Sequence, residues 1–479
     1  MLLLIFATVR KKNKNIVLRQ ILVEDYAAEG KSIARVEGKV IFIENAIPGD
    51  IVDVKLSKNK KDWAEGFITA FHQLSPDRVE PFCAHFGVCG GCRWQMLPYA
   101  KQLQFKEKQV SDVLERIGKV ALPPLLPILG APESTLYRNK MEYTFSNKRF
   151  LLPGELHNPD ITSQQNVAGF HARGLFDKVV NIDTCHLQAE PTNFLRKEVR
   201  DFALERDLSF YDIKAHQGWL RTMQVRICTT GEIMANIVLG HEDADAWSAL
   251  QERLLQKFPQ LTTLLYTINV KWNDSISDLD PRVVYGKGYV IEKLEDFQFK
   301  VGPKSFFQTN TRQGERLYQV TREFAELSGK ETIYDLYCGT GSIGIFLSRQ
   351  AARIVGVEVI AEAIDDAREN AALNGIQHAR FFAGDVIDIC NEDFFIREGR
   401  PDVIITDPPR AGMHEKLVKK ILDTAAPTVV YVSCNPATQA RDLHLLDEKY
   451  VVTKVRPVDM FPHTHHIENV VQLKLRESL

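Results

Sequence analysis

The chain is poor in cysteine, with 8 among 479 residues. They are too few and too unevenly placed for a disulfide framework, which leaves clustered thiols for metal binding or catalysis. No run of about 18 uncharged apolar residues occurs, so nothing is expected to span a membrane. An excess of either charge is also missing: 60 Lys and Arg face 62 Asp and Glu, for a formal net charge of -2. Any polyanion must then be held by local patches rather than by a global field. There is no internal repeat and no low-complexity tract. With 44% hydrophobic and 25% charged residues, disorder, collagen and coiled coil are excluded, and about three packed units are expected at roughly 150 residues each. Residues 1–9 are apolar but precede Arg10, Lys11, Lys12 and Lys14. That order is the reverse of a secretory leader, so a cytoplasmic chain is expected.

Residues 15–72 alternate in short apolar runs, divided by the turn signals Glu29-Gly30, Glu37-Gly38 and Pro48-Gly49. This pattern predicts a small antiparallel barrel. Lys55, Lys58, Lys60 and Lys61 lie beside Trp63, a mixture suited to phosphates and a stacked base, or to a solvated lysine loop. Residues 95–117 carry apolar positions at helical intervals. Residues 122–299 read as mixed and mostly strand-like. After Gln308 helix and apolar strand alternate, the sign of a doubly wound parallel sheet. The fold class is therefore α/β: a Rossmann-like domain preceded by a small β-barrel and a mixed α+β central domain.

The strand-like 332–337 runs into Gly339-Thr340-Gly341-Ser342-Ile343-Gly344, a G-x-G-x-x-G turn where backbone amides can meet a ligand. The next strand ends in Glu358, at the distance expected for a carboxylate on ribose hydroxyls. Asp385 and Asp407 close the following two strands, so with Asp335 four acids would face one sheet edge; as an alternative they cap the helices that follow. The turn and acid suit a dinucleotide or S-adenosylmethionine. Asp407-Pro408-Pro409-Arg410 resembles the acid-Pro-Pro turn of nucleic-acid methyltransferases, with an arginine in place of the aromatic used in amino-group methylation. Cys434, in Ser433-Cys434-Asn435-Pro436, sits where a strand delivers a nucleophile to the same edge; its alternative is a core-filling thiol. Carbon 5 of uracil accepts a methyl group only after a thiolate adds at carbon 6, and a base must then remove the proton from carbon 5. Glu468, ahead of an apolar strand, is the candidate base. His463, His465 and His466 beside it suit a shared metal ion poorly.

Together these motifs resemble the RNA 5-methyluridine methyltransferase family, in particular the 23S ribosomal RNA uracil-5-methyltransferases. The matching segments are Ser305-Phe306-Phe307-Gln308-Thr309-Asn310, Asp335-Leu336-Tyr337-Cys338-Gly339-Thr340-Gly341, Asp407-Pro408-Pro409-Arg410, Ser433-Cys434-Asn435-Pro436 and His463-Thr464-x-His466-x-Glu468. The N-terminal barrel is similar to that family's TRAM domain. The resemblance implies Cys434 as nucleophile and Glu468 as base. It also implies Gln308, Tyr337, Glu358, Asp385 and Asp407, with Gly339 and Gly341, around S-adenosylmethionine or the target base. The implied division is 13–74 for the barrel, 75–92 and 127–300 for an RNA-recognition domain, and 93–126 with 301–479 for the methyltransferase.

Cys83, Cys89 and Cys92 form C-x5-C-x2-C among Gly87, Gly90 and Gly91, with Cys185 as the fourth thiol. Spacing alone allows tetrahedral zinc or an iron–sulfur cluster; the family resemblance implies [4Fe-4S]. Cys228, Cys338 and Cys390 read as packing residues. Arg138, Lys140, Lys148 and Arg149, opposed in sequence only by Glu142, form a patch for phosphates, with no obligate protein partner implied. A transfer RNA uracil-5-methyltransferase is the alternative within the enzyme class, and a non-catalytic RNA-binding or ribosome assembly factor is the alternative outside it.

Overall fold

The computed structural model describes residues 16–476 apart from His157 and Pro159; the basic run Arg10, Lys11, Lys12 and Lys14 lies outside the described residues. The chain divides into two compact units. One comprises residues up to Phe82, Arg93–Phe105 and His463–His465, and the other Cys83–Cys92, Lys106–Pro462 and His466 onward.

In the first unit six strands form one sheet, in the order Val17–Leu22, Ile51–Asn59, Trp63–Gln73, Lys39–Glu44, Ser32–Val36, Asp25–Tyr26. Register shifts along Ile51–Asn59 and Trp63–Gln73 bend these long strands, and the inner face buries Ile41, Ile43, Val52, Val54 and Ala64. The expectation of a purely antiparallel arrangement needs one correction, since Lys39–Glu44 runs parallel to Trp63–Gln73.

The second unit holds two seven-stranded sheets. In the first, Lys140–Lys148 and Leu220–Ile227 lie at the centre, paired antiparallel. Helices Thr192–Glu205 and Ala244–Lys257 contribute Leu195, Val199, Phe202, Leu250 and Leu254 to its core. The second sheet has the order Ala379–Ala383, Arg353–Glu358, Thr332–Leu336, Val403–Thr406, Thr428–Ser433, Glu468–Leu475, Tyr450–Val458. Its first five strands are parallel, and Glu468–Leu475 runs antiparallel to both its neighbours, Thr428–Ser433 and Tyr450–Val458. Parallel strands covered on both faces must be apolar throughout, and Thr428–Ser433 is buried at every position. The two halves of this sheet diverge between Thr332–Leu336 and Val403–Thr406, the switch point at which open α/β sheets bind ligands beyond their strand ends. The helical expectation over 95–117 resolves into Tyr99–Val113 followed by a wider turn at Leu114–Gly118.

Candidate active site

Strand Thr332–Leu336 delivers Tyr337 in the left-handed region, φ 63°, at the head of the glycine turn. Gly339 has φ 52° and no neighbour where a Cβ would sit, so its backbone is open to a ligand. Gly341 has φ 75°, and a Cβ there would stand 2.9 Å from the Phe381 ring; only glycine fits. Asp335 lies beneath this turn rather than at its rim, accepting from the Gly344 amide at 2.8 Å. Burial, with the charges of Asp407 and Glu358, pushes its carboxyl up to about 7. Glu358 accepts from the amides of Gly339, 3.3 Å, and Ile360, 3.1 Å, which fixes its carboxylate beside the open glycine. Asp385 caps the turn Val386–Ile389 through the Ile387 amide at 2.8 Å, so the capping alternative applies to it. The Tyr337 hydroxyl is raised by burial and then by the Asp385 charge, which puts Tyr337 among these acids. Gln308 is buried, and its carbonyl accepts from Asn139 Nδ2 at 2.8 Å.

Strands Thr428–Ser433 and Glu468–Leu475 pair Ser433 with Asn469. Continued by one residue, that register sets Cys434 opposite Glu468. Asn469 is held by Gln439, whose amide also donates to the carbonyls of Tyr431 and Asn469. Asn435 caps helix Pro436–Leu446 and donates to the Arg410 carbonyl at 3.0 Å. It thereby ties the Asp407–Arg410 turn to the cysteine loop. Before Glu468, a fully buried Lys106–Asp459 ion pair of 2.6 Å, Asn310 on the Met460 carbonyl and the Tyr137 hydroxyl on the Pro462 carbonyl fix the incoming chain.

Burial and mutual charge shift Cys434, Glu468 and Asp407 in the same direction. Partial burial pushes the Cys434 thiol up to about 11; the charges of Glu468 and Asp407 act in the same direction and Arg410 opposes them. Glu468 is raised well above the usual carboxylate range by burial and then by Asp407. Asp407 keeps part of its surface open at the strand end, yet the surrounding chain strips enough water to push it up to about 7. A thiol across the strand pair from a carboxyl raised by burial, beside an open glycine turn and a fixed acid, has the groups needed for nucleophilic addition followed by proton removal.

Cys83, Cys89, Cys92 and Cys185 are all part-buried and none forms a disulfide. Burial pushes Cys185 up to about 11, and the charges of Cys89 and Cys83 act in the same direction. Gly91 donates to Cys89 Sγ at 3.5 Å, and Asn193 grips both the amide and the carbonyl of Cys185. Among the described residues no three His, Cys, Asp or Glu side chains gather closely enough for a single metal ion. Cys228, Cys338 and Cys390 are buried in apolar cores. Of the expected phosphate patch, Lys148 pairs with Asp212 at 3.1 Å and Arg149 with Glu155 at 2.5 Å. Asn139, which steadies the Gln308 segment through the Gln308 carbonyl and Thr311 Oγ1, went unrecognised in the sequence because its partners lie far along the chain.

Residues 215–476 match the tRNA (Uracil-5-)-methyltransferase family and residues 18–69 the TRAM domain. An uncharacterized RNA methyltransferase of Bacteroides thetaiotaomicron is 53% identical over 94% of this chain and 100% of its own length. Another, from Porphyromonas gingivalis, is 48% identical over 94% of this chain and 98% of its own. Among solved structures, the Pyrococcus abyssi tRNA (uracil-54, C5)-methyltransferase in complex with S-adenosyl-L-homocysteine is similar, with TM-score 0.73 and 27% identity. It covers 95% of this chain and 100% of its own. No helix among the described residues is long and apolar enough to cross a membrane. On the matched domain, the full-length relatives and the sheet order, this chain belongs to the tRNA (uracil-5-)-methyltransferase family, S-adenosylmethionine-dependent enzymes acting on RNA.

Proposed function

We propose that the protein methylates carbon 5 of a uridine in 23S ribosomal RNA through a covalent bond between Cys434 and carbon 6. The observation that carries the reading is the register that sets Cys434 against Glu468, with Asp407 and Arg410 acting on both. Glu358, fixed by two amides beside the open Gly339, fits ribose hydroxyls, and Tyr337, Asp385 and Gln308 complete the cofactor and base surroundings. When bound there, S-adenosylmethionine supplies the methyl group as an electrophile. Cys434 adds to carbon 6, which makes carbon 5 nucleophilic. Once carbon 5 carries the methyl group, ionised Glu468 takes its proton, the ring regains its double bond and the thiolate leaves. A carboxyl with a raised pKa is a stronger base once ionised, which suits that last step. Reaching carbon 6 requires the uracil to leave its stack.

Cys83, Cys89, Cys92 and Cys185 form the donor set for a [4Fe-4S] cluster. Four part-buried thiols, three of them set among glycines, fit such a group. The domain division remains 13–74, 75–92 with 127–300, and 93–126 with 301–479, in a cytoplasmic enzyme. The Pyrococcus likeness spans nearly the whole chain and favours a second reading, in which transfer RNA is the substrate. Incubation with labelled S-adenosylmethionine and separate 23S and transfer RNA transcripts, followed by nucleoside analysis, tests both. The expected product is 5-methyluridine in the ribosomal transcript; label in transfer RNA alone selects the second reading, and label in neither rejects both.

A further inference from the structure

The central sheet presents an aromatic pair that the proposed chemistry does not use. Trp272 is 78% exposed, while the other four tryptophans are buried or half-buried. Its indole lies face to face with His216, ring centroids 4.9 Å apart and planes 6° from parallel. Isolated exposed apolar side chains are ordinary, but this one is held in place by a buried cation. The Arg221 side chain, 1% exposed, donates to the carbonyls of Asn269 (2.5 Å), Lys271 (2.8 Å) and Asn273 (3.1 Å) and to Asp274 Oδ1 (2.6 Å). It lies over the Tyr211 ring at 3.9 Å. Asn269 adds bonds to the Asn273 carbonyl and the Lys271 amide. The backbone on both sides of Trp272 is thus fixed.

His216 is fixed too, at φ 54°, with its amide donating to the Asp212 carbonyl while the Asp212 carboxylate accepts from the Lys214 and Ala215 amides. The result is a rigid aromatic surface with one face covered by imidazole and the other open to solvent. The same loop reaches the catalytic domain: the Leu279 carbonyl accepts from Lys304 Nζ at 3.2 Å, immediately before the segment Ser305–Gln308. Lys271 pairs with the exposed carboxylate of Asp278, an exchangeable partner that a phosphate can replace, and Lys214 with the part-buried Asp177.

We propose that Trp272, backed by His216, is a stacking platform for an unpaired nucleobase of the substrate RNA outside the methylation pocket. The inference rests on the RNA-methylating function above and names the surface that grips bases flanking the target. Single-stranded RNA is bound by stacking splayed bases on aromatic planes, and a preorganised platform avoids the cost of ordering a loop on binding.

The test compares wild type, Trp272→Ala and Trp272→Phe on the 23S and transfer RNA transcripts used above. Removing one stacking ring is expected to raise Kd about five- to one-hundred-fold in Trp272→Ala. Trp272→Phe should retain most of the affinity, and the rate at saturating RNA should stay within about twofold in both. Titrating RNA into wild type should quench tryptophan emission, and Trp272→Phe should lose the part of that quenching that Trp272 contributes. An unchanged Kd in Trp272→Ala, equal losses in both variants, or no quenching overturns the platform. A protein partner that needs Trp272 while RNA binding does not would overturn it as well. Should wild type methylate no RNA, the functional reading fails separately, because binding and quenching are measured without turnover.

Discussion

Arg410→Gln should slow the reaction of Cys434 with a thiol-directed alkylator, and the pH profile should show why. With the thiol at about 11, only about three molecules in ten thousand carry a thiolate at pH 7.5, against roughly one in ten for an ordinary cysteine near 8.5. Alkylation of Cys434 should therefore be about 300-fold slower than that of an ordinary exposed thiol at pH 7.5, rising nearly tenfold per pH unit to about pH 10. Arg410 is the cation that lowers this thiol. Its side chain is exposed, so its loss should raise the thiol further and slow the reaction, by an amount that shrinks as salt is added. Glu468→Gln tests the sign from the other side. While the carboxyl holds its proton it exerts no charge, so the variant should match wild type at low pH. Above the raised carboxyl titration the ionised wild-type glutamate opposes the thiolate, so the variant should react faster. Rates are read for Cys434 by site-resolved mass spectrometry across pH 6 to 10. An apparent pKa at or below about 8.5, or faster alkylation in Arg410→Gln, would refute the picture of a buried thiol flanked by carboxyls.

Three further outcomes are expected. Glu468→Gln, unable to take the proton from carbon 5, should accumulate a covalent complex on unmodified RNA with S-adenosylmethionine present, visible on a denaturing gel; free turnover in that variant would remove Glu468 from the role of base. Gly341→Ala forces a Cβ into the left-handed region and against the Phe381 ring, so it should lose about 2–4 kcal/mol in chemical denaturation and weaken binding of S-adenosylhomocysteine by calorimetry. Lys106→Met leaves Asp459 buried without its cation, which should cost about 3–5 kcal/mol of stability; a loss within experimental error would show that the pair contributes nothing.

The catalytic sheet was legible because its strands are buried on both faces and read as apolar runs ending in a glycine turn or an acid. Cys434 and Glu468 could each be chosen from the sequence, but their juxtaposition could not. It depends on the antiparallel register between Thr428–Ser433 and Glu468–Leu475, and their intervening helix hides it. For Asp335 the sequence left two readings, the ligand edge or a cap on the following helix, and its bond from the Gly344 amide in helix Ser342–Leu347 fits the second. Charge partners are read incompletely along the chain. Lys148 and Arg149 looked unopposed along the chain, yet Asp212 comes from a distant loop and Glu155 from a turn that folds back. The parallel pair in the N-terminal sheet is likewise invisible to alternation, which fixes faces but not neighbours. Arg221 gave no signal at all, since its partners are mainly backbone carbonyls about 50 residues away.

The most direct measurement of the central claim uses RNA carrying 5-fluorouridine, in which fluorine blocks removal of the group from carbon 5 and holds the enzyme on its substrate. Wild type with S-adenosylmethionine is predicted to form a complex that survives denaturation, with the crosslink mapping to the peptide holding Cys434, and Cys434→Ala is predicted to form none. A complex in both proteins, or in neither while the RNA is still methylated at carbon 5, would contradict nucleophilic attack by this thiol.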